Sequence, residues 1–144
     1  MSTKEPKAVL HICCDESRHM QCRNALAEYF SQLGFIVTDC KPSGKKEMFD
    51  FLQKIKEKYA DLPHLLVGCA EEAVVVQDFI KEYPDVVEGA VLAGGSQEEA
   101  AEDKNLPILK IAGAEEDCME MFRRIYHWAE ERLDEMLYRA ATKY

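Results

Sequence analysis

The stretch at residues 65–95, LLVGCAEEAVVVQDFIKEYPDVVEGAVLAGG, decides the fold. It predicts a buried strand at 65–67, a sharp turn at Gly68, a helix from about Glu71 to Tyr83 and a second buried strand at 89–93. Apolar runs without alternation are typical of strands covered on both faces, so this stretch indicates a βαβ unit of a parallel sheet. Because ligands gather at the carboxyl ends of such strands, the turn at 68–72 is the first candidate site.

Buried strands and amphipathic helices alternate on both sides of this unit. Strands are predicted at 7–12, 35–39 and 107–112, and helices at about 18–33, 48–60 and from 117 onward, with one or two helical turns within 97–105. Glycine and proline end the helices, at Gly34, Pro63 and Pro84. We predict one α/β domain over residues 1–144, a three-layer α/β/α sandwich around a five-stranded parallel sheet of order 2-1-3-4-5.

Charge and composition exclude several classes of partner. A net charge of -9 over 144 residues argues against nucleic acid and against an anionic membrane surface. No apolar run reaches the ~18 residues that a membrane span needs, so we expect a cytoplasmic protein. No Walker A or GxGxxG pattern occurs, and no cofactor is expected. The long terminal helix carries Met121, Trp128 and Tyr138 off its main apolar stripe, which leaves room for a homodimer contact.

Six cysteines occur without a CxxC, which predicts reduced thiols, most of them small buried residues. Four of them, Cys13, Cys14, Cys40 and Cys69, follow the first three strands at their carboxyl ends. A sharper hypothesis makes Cys69 a nucleophile with His11 or His19 as its base. Two others are a thiolate metal site formed by Cys13 or Cys14 with Cys69 and His19, and a redox contact between Cys14 and Cys69. No metal-ligand spacing supports the first of these, and we expect no metal.

The predicted strand order places the loops at 13–17 and 69–72 opposite each other across a crevice. His19 lies in the first helical turn after the first loop, and Gly94 and Gly95 could cradle a phosphate at a helix start. We expect a small-molecule ligand in this crevice, lined by His11, Cys13, Cys14, Asp15, Glu71, Gly94 and Gly95.

Five segments of the chain resemble the core of the α/β-hydrolase family in order and spacing. They are VLHICCDESRHM (9–20), GFIVTDCKPSG (34–44), HLLVGCAEEA (64–73), YPDVVEG (83–89) and LPILKIAGAEED (106–117). The resemblance covers about residues 8–117. It implies the strand order given above, a nucleophile elbow after Gly68 and a triad acid at Asp117.

The elbow departs from the family's G-x-S-x-G pattern. Aligned on Gly68, Cys69 takes the variable position, Ala70 the place of the serine and Glu72 the place of the second glycine. Ile12 stands where the resemblance implies a glycine, and the terminal helix replaces the segment that would carry the histidine.

We therefore expect a minimal α/β-hydrolase-like domain without a working Ser-His-Asp triad, either a degenerate relative retained for binding or an engineered form. If it is active, it would hydrolyse ester bonds. The candidate residues are Cys69, Ala70, His19 and Asp117. Two alternatives stay open, a flavodoxin-like domain that binds a small ligand or nucleotide and a cysteine-dependent esterase that uses Cys69.

Overall fold

A computed structural model describes residues 6–13, 16–40, 44–69, 72–93, 106–111 and 118–142, with side chains described outside 16–23, 118 and 136–142. The elements in chain order are β1 (Ala8–Cys13), α1 (Glu16–Gln32), β2 (Phe35–Asp39), α2 (Lys45–Lys58), β3 (His64–Cys69), α3 (Glu72–Glu82), β4 (Gly89–Ala93), β5 (Ile108–Ile111) and α4 (Cys118–Thr142). The predicted helical turns within 97–105 lie outside the described residues.

All five strands form one parallel sheet of order β2-β1-β3-β4-β5, which confirms the predicted order. Every residue of β1, β3 and β4 is buried, as expected for strands covered on both faces. Strand β3 is longer than predicted and runs from His64 to Cys69. It therefore carries a thiol on its last residue.

Two apolar cores cover the faces of the sheet. The first core joins α1 and α4 to one face and contains Phe30, Phe122 and Ile125. The second core joins α2 and α3 to the opposite face and contains Met48 and Phe79. Because successive side chains of a strand point to opposite faces, Ile12 belongs to the first core and Cys13 to the second.

The terminal helix α4 packs against the sheet through a stripe of buried residues. Two residues that the sequence analysis placed off this stripe also contact the core. Met121 is buried, and the Trp128 ring packs against the first core. A Cβ added at Gly89 would lie only 2.8 Å from the Trp128 ring, so the tryptophan sits directly on the start of β4. The side chain of Tyr138 is not among those described. Of the three residues proposed for a dimer contact, two are therefore engaged within the chain.

The segment before β1 is tied to α4 by a surface ion pair. Lys7 Nζ donates a hydrogen bond to Glu130 Oε1 at 2.9 Å and lies 3.4 Å from the Tyr126 hydroxyl. The hydrogen bond that Lys7 donates to Glu130 raises the pKa of Lys7 and lowers the pKa of Glu130.

Candidate functional site

Three thiols meet the carboxyl end of the sheet on adjacent strands. Cys13 ends β1, Cys40 follows the last residue of β2, and Cys69 ends β3. All three are buried, with Cys69 at 9% exposure the least so, and none forms a disulfide. The structure therefore places three cysteine side chains at the end of the sheet where the sequence predicted the crevice.

Cys13 and Cys40 interact directly. Cys13 Sγ lies 2.9 Å from the carbonyl oxygen of Cys40 and donates a hydrogen bond to it. The interaction with Cys40 and burial raise the pKa of Cys13, whereas the interaction with Cys13 lowers the pKa of Cys40. Of the two sulfurs, Cys40 is the one that carries the negative charge more readily.

The first glycine of the elbow pattern, Gly68, lies within β3 and not at the sharp turn that the sequence predicted there, and packing explains why a glycine is needed. A Cβ on Gly68 would lie 2.7 Å from Val76 Cγ2 and 3.0 Å from both Ala73 Cα and Glu72 O. Two of these three contacts are backbone, which cannot move aside without shifting α3. Gly68 therefore allows the close approach of α3 to β3, a role independent of any chemistry at the turn.

Glu72, the first residue of α3, occupies the place of the elbow's second glycine. Its Oε2 atom is buried, and within the described part of the chain it has no hydrogen-bond partner. Its negative charge is one of the causes that raise the pKa of Cys13, so the carboxylate lies near the Cys13 thiol. A carboxylate at a helix N-terminus is favoured by the helix dipole, but a buried oxygen without a donor costs free energy. A ligand with an N–H or O–H group would supply that donor.

His11 forms a chain of hydrogen bonds that crosses three strands under α2. Its Nδ1 lies 2.6 Å from Thr38 Oγ1 on β2, and its Nε2 lies 2.9 Å from His64 Nδ1 on β3. His64 Nε2 in turn lies 3.1 Å from the carbonyl oxygen of Tyr59. The two rings are stacked with centroids 5.2 Å apart.

One assignment of protons satisfies the whole chain with both rings neutral. The Tyr59 carbonyl can only accept, so His64 carries its proton on Nε2 and accepts on Nδ1. His11 then donates from Nε2 and accepts on Nδ1 from the Thr38 hydroxyl. Burial, with a smaller effect of His64, lowers the pKa of His11 to about 3, and burial also lowers the pKa of His64.

Both nitrogens of His11 are thus engaged in hydrogen bonds inside the core. His11 would have to leave Thr38 or His64 to serve as a base for Cys69, the role considered for it in the sequence. The partner His64 was not singled out as a site residue. A lone histidine inside an apolar strand is the signal that a buried polar partner is needed, but the choice of partner depends on strand register.

The structure does not describe the side chains of the remaining predicted site residues. His19 lies within α1, and its side chain is not described. The others fall outside the described residues, namely Cys14, Asp15, Ala70, Glu71, Gly94, Gly95 and Asp117. Within the described ranges, no three His, Cys, Asp or Glu side chains are grouped as metal ligands. None of the helices in those ranges combines the length and the apolar character that a bilayer crossing requires.

Comparison with known proteins gives a likeness of fold. No protein-family model and no curated protein matches the sequence. The structure is similar to Est1E from Butyrivibrio proteoclasticus, with 9% identity, 92% of this chain and 90% of that chain covered, and a TM-score of 0.60. It is also similar to a structure described as a predicted CIB-like hydrolase from Thermoplasma acidophilum, with 11% identity, 91% and 90% covered, and a TM-score of 0.58.

A third similar structure is a highly thermostable carboxyl esterase from Bacillus coagulans in complex with glycerol. The match has 13% identity and a TM-score of 0.47, and it covers 62% of this chain and 36% of that esterase. The chain therefore spans little more than a third of that esterase. At 9% and 11% identity, the first two likenesses establish the fold alone. The chain has an α/β-hydrolase-like fold.

Proposed function

We propose that this chain is a hydrolase-like domain that binds a small molecule at the carboxyl end of its sheet and does not use a Ser-His-Asp triad. The observation that carries the proposal is the elbow. Strand β3 ends at Cys69 and α3 begins at Glu72, and the two residues between them in the sequence are Ala70 and Glu71. Alanine offers no nucleophilic atom at the position where a serine hydrolase presents its hydroxyl.

Glu72 supports a binding role at the same place. In the elbow motif the second glycine relieves crowding next to the nucleophile, whereas here a carboxylate occupies that position. Its Oε2 atom lacks a partner among the described residues, and it can accept a hydrogen bond from an amine or an alcohol. The ligand class that suits this site is therefore a small molecule with N–H or O–H groups.

A second candidate is a cysteine-dependent esterase. The specific observation in its favour is that Cys69 ends β3 and thus stands at the end of the sheet where the elbow begins. A thiolate is a stronger nucleophile than a serine hydroxyl at neutral pH, and the N-terminus of the following helix favours a negative charge nearby.

Hydrolysis of p-nitrophenyl acetate separates these candidates. We expect wild type, Cys69→Ala and Ala70→Ser to hydrolyse the ester no faster than buffer with an equal concentration of an unrelated protein. A wild-type rate that is lost in Cys69→Ala and after alkylation with N-ethylmaleimide would establish the thiol esterase. Activity gained by Ala70→Ser would show that a working base and acid remain, which would overturn the proposal.

Binding is tested by thermal shift against small amines, alcohols, nucleotides, flavins and phosphates. We expect amines or alcohols to raise the melting temperature of wild type, and Glu72→Gln to reduce the shift for amines because the charge is removed. Glu57→Gln, which alters an exposed carboxylate of α2, is the matched control. A response confined to nucleotides or flavins, unaffected by Glu72→Gln, would instead support the flavodoxin-like alternative, whose sheet order is the same.

A further inference from the structure

Cys13 and Cys40 occupy neighbouring positions on two adjacent parallel strands. Strand β1 pairs with β2 so that Ile12 stands opposite Asp39, which makes Cys13 and Cys40 the next pair. The pairing continues past the end of β2, because the Cys40 amide donates to the Ile12 carbonyl at 2.9 Å. Adjacent strands are about 4.8 Å apart, and disulfides join residues whose Cα atoms are about 4.4–6.8 Å apart.

The two side chains also point to the same side of the sheet. Both belong to the core under α2 and α3, and Cys13 Sγ donates a hydrogen bond to the Cys40 carbonyl oxygen at 2.9 Å. Cys69 belongs to the core on the opposite face, although it too ends a strand that neighbours β1. The pair formed by Cys13 and Cys40 is therefore the one placed for a bond between strands.

We propose that Cys13 and Cys40 are an oxidisable thiol pair that closes to a disulfide when the protein meets hydrogen peroxide. The inference stands apart from the proposed function, since it needs neither ligand binding nor ester hydrolysis. Both side chains are almost fully buried, at 0% and 1% exposure, so a small oxidant such as peroxide is required.

The reaction has two steps. The Cys40 thiolate attacks one peroxide oxygen, and the O–O bond breaks. This forms a sulfenic acid on Cys40 and releases hydroxide, which takes up the proton that Cys40 gave up and becomes water. The Cys13 sulfur then attacks the Cys40 sulfur and displaces its hydroxyl group, which takes the Cys13 proton and leaves as a second water. In total, two thiols and one hydrogen peroxide give one disulfide and two waters.

The local electrostatics assign the order of the steps. The interaction with Cys13 lowers the pKa of Cys40, and a thiolate rather than a thiol reacts with peroxide. The interaction with Cys40 and burial raise the pKa of Cys13, so Cys13 stays protonated until the sulfenic acid has formed.

Peptide mapping without reduction tests the proposal. Trypsin cuts the chain into a peptide of residues 8–18, which contains Cys13 and Cys14, and one of residues 24–45, which contains Cys40. After treatment of the native protein with peroxide and alkylation of remaining thiols, we expect these two peptides to be joined, with a mass two hydrogens below their sum. Fragmentation of the joined peptide should assign the bond to Cys13.

Three variants control the assignment. Cys14→Ser should keep the linkage, whereas Cys13→Ser and Cys40→Ser should abolish it, each with the circular dichroism of the wild type. If either of the last two variants fails to fold, the fragmentation spectrum of the wild type still decides between Cys13 and Cys14. Recovery of both Cys13 and Cys40 in alkylated form after treatment, or a linkage that persists in Cys13→Ser, would overturn the proposal.

Discussion

Replacing His11 by glutamine should make the stability of the protein less sensitive to mild acid. The glutamine amide can occupy the place of the imidazole Nε2 and still donate to His64, but it cannot take up a proton. In the wild type, His11 is buried and neutral, and its pKa lies at about 3 rather than at the ordinary 6.5. Between these two pH values, the unfolded chain therefore binds a proton at this residue and the folded chain does not.

The size of the effect follows from that difference. The folded pKa is lowered, so the free energy of unfolding falls as the pH drops below about 6.5. Between pH 7 and pH 5 the loss from His11 alone is about 2 kcal/mol. The lowered pKa of His64 adds a loss of the same sign. Glu130, whose pKa is lowered from 4.5, loses its contribution only below that pH, outside this window.

Urea denaturation at pH 7, 6 and 5, followed by circular dichroism and by the fluorescence of the single tryptophan, measures these free energies. We expect His11→Gln to be less stable than wild type at pH 7, because the Thr38 hydroxyl loses its acceptor, and to lose about 2 kcal/mol less than wild type on going to pH 5. His127→Gln, at an exposed histidine of α4, is the control and should follow wild type. Parallel pH dependences of wild type and His11→Gln would refute the neutral chain of hydrogen bonds.

Three further substitutions test the packing. Gly68→Ala should cost about 1–3 kcal/mol in urea denaturation, because its Cβ overlaps the backbone at the start of α3; wild-type stability would show that α3 is held less closely. Gly89→Ala should shift the emission maximum of Trp128, whose ring must move from a position 2.8 Å from the new Cβ, and an unchanged spectrum would contradict that placement. Lys7→Ala should cost less than about 1 kcal/mol, since its pair with Glu130 is exposed to solvent; a larger loss would mean that the contact fastens α4 more firmly than a surface ion pair does.

Much of the fold is readable in the sequence because the strands are buried on both faces. Continuous apolar runs bounded by glycine, proline or charge located β2 and β4 to the residue, at Phe35–Asp39 and Gly89–Ala93. The bounds of β3 were less well predicted, because His64 and Cys69 extend the strand with residues that do not read as strand formers. Polar and small residues are accepted there because neighbouring strands supply their hydrogen bonds and packing partners.

The site was predicted less completely than the fold. That thiols gather at the carboxyl ends of β1, β2 and β3 follows from strand order, and the structure agrees. That Cys13 meets Cys40, and that His11 meets His64, follows from register, which no pattern in a single strand encodes. The sequence suggested instead a contact between Cys14 and Cys69, which lies partly outside the described residues and stays a prediction.

Gly68 shows that packing alone can require a glycine near the junction of a strand and a helix. The backbone of α3 lies too close to this position for a side chain, whatever residues follow at the next two positions. A comparison of backbones responds to that geometry and does not distinguish a hydroxyl, a thiol or a methyl group on the side chains that follow. A likeness of fold to a hydrolase is therefore compatible with the presence or the absence of the reaction, and only the chemistry of individual side chains bears on it.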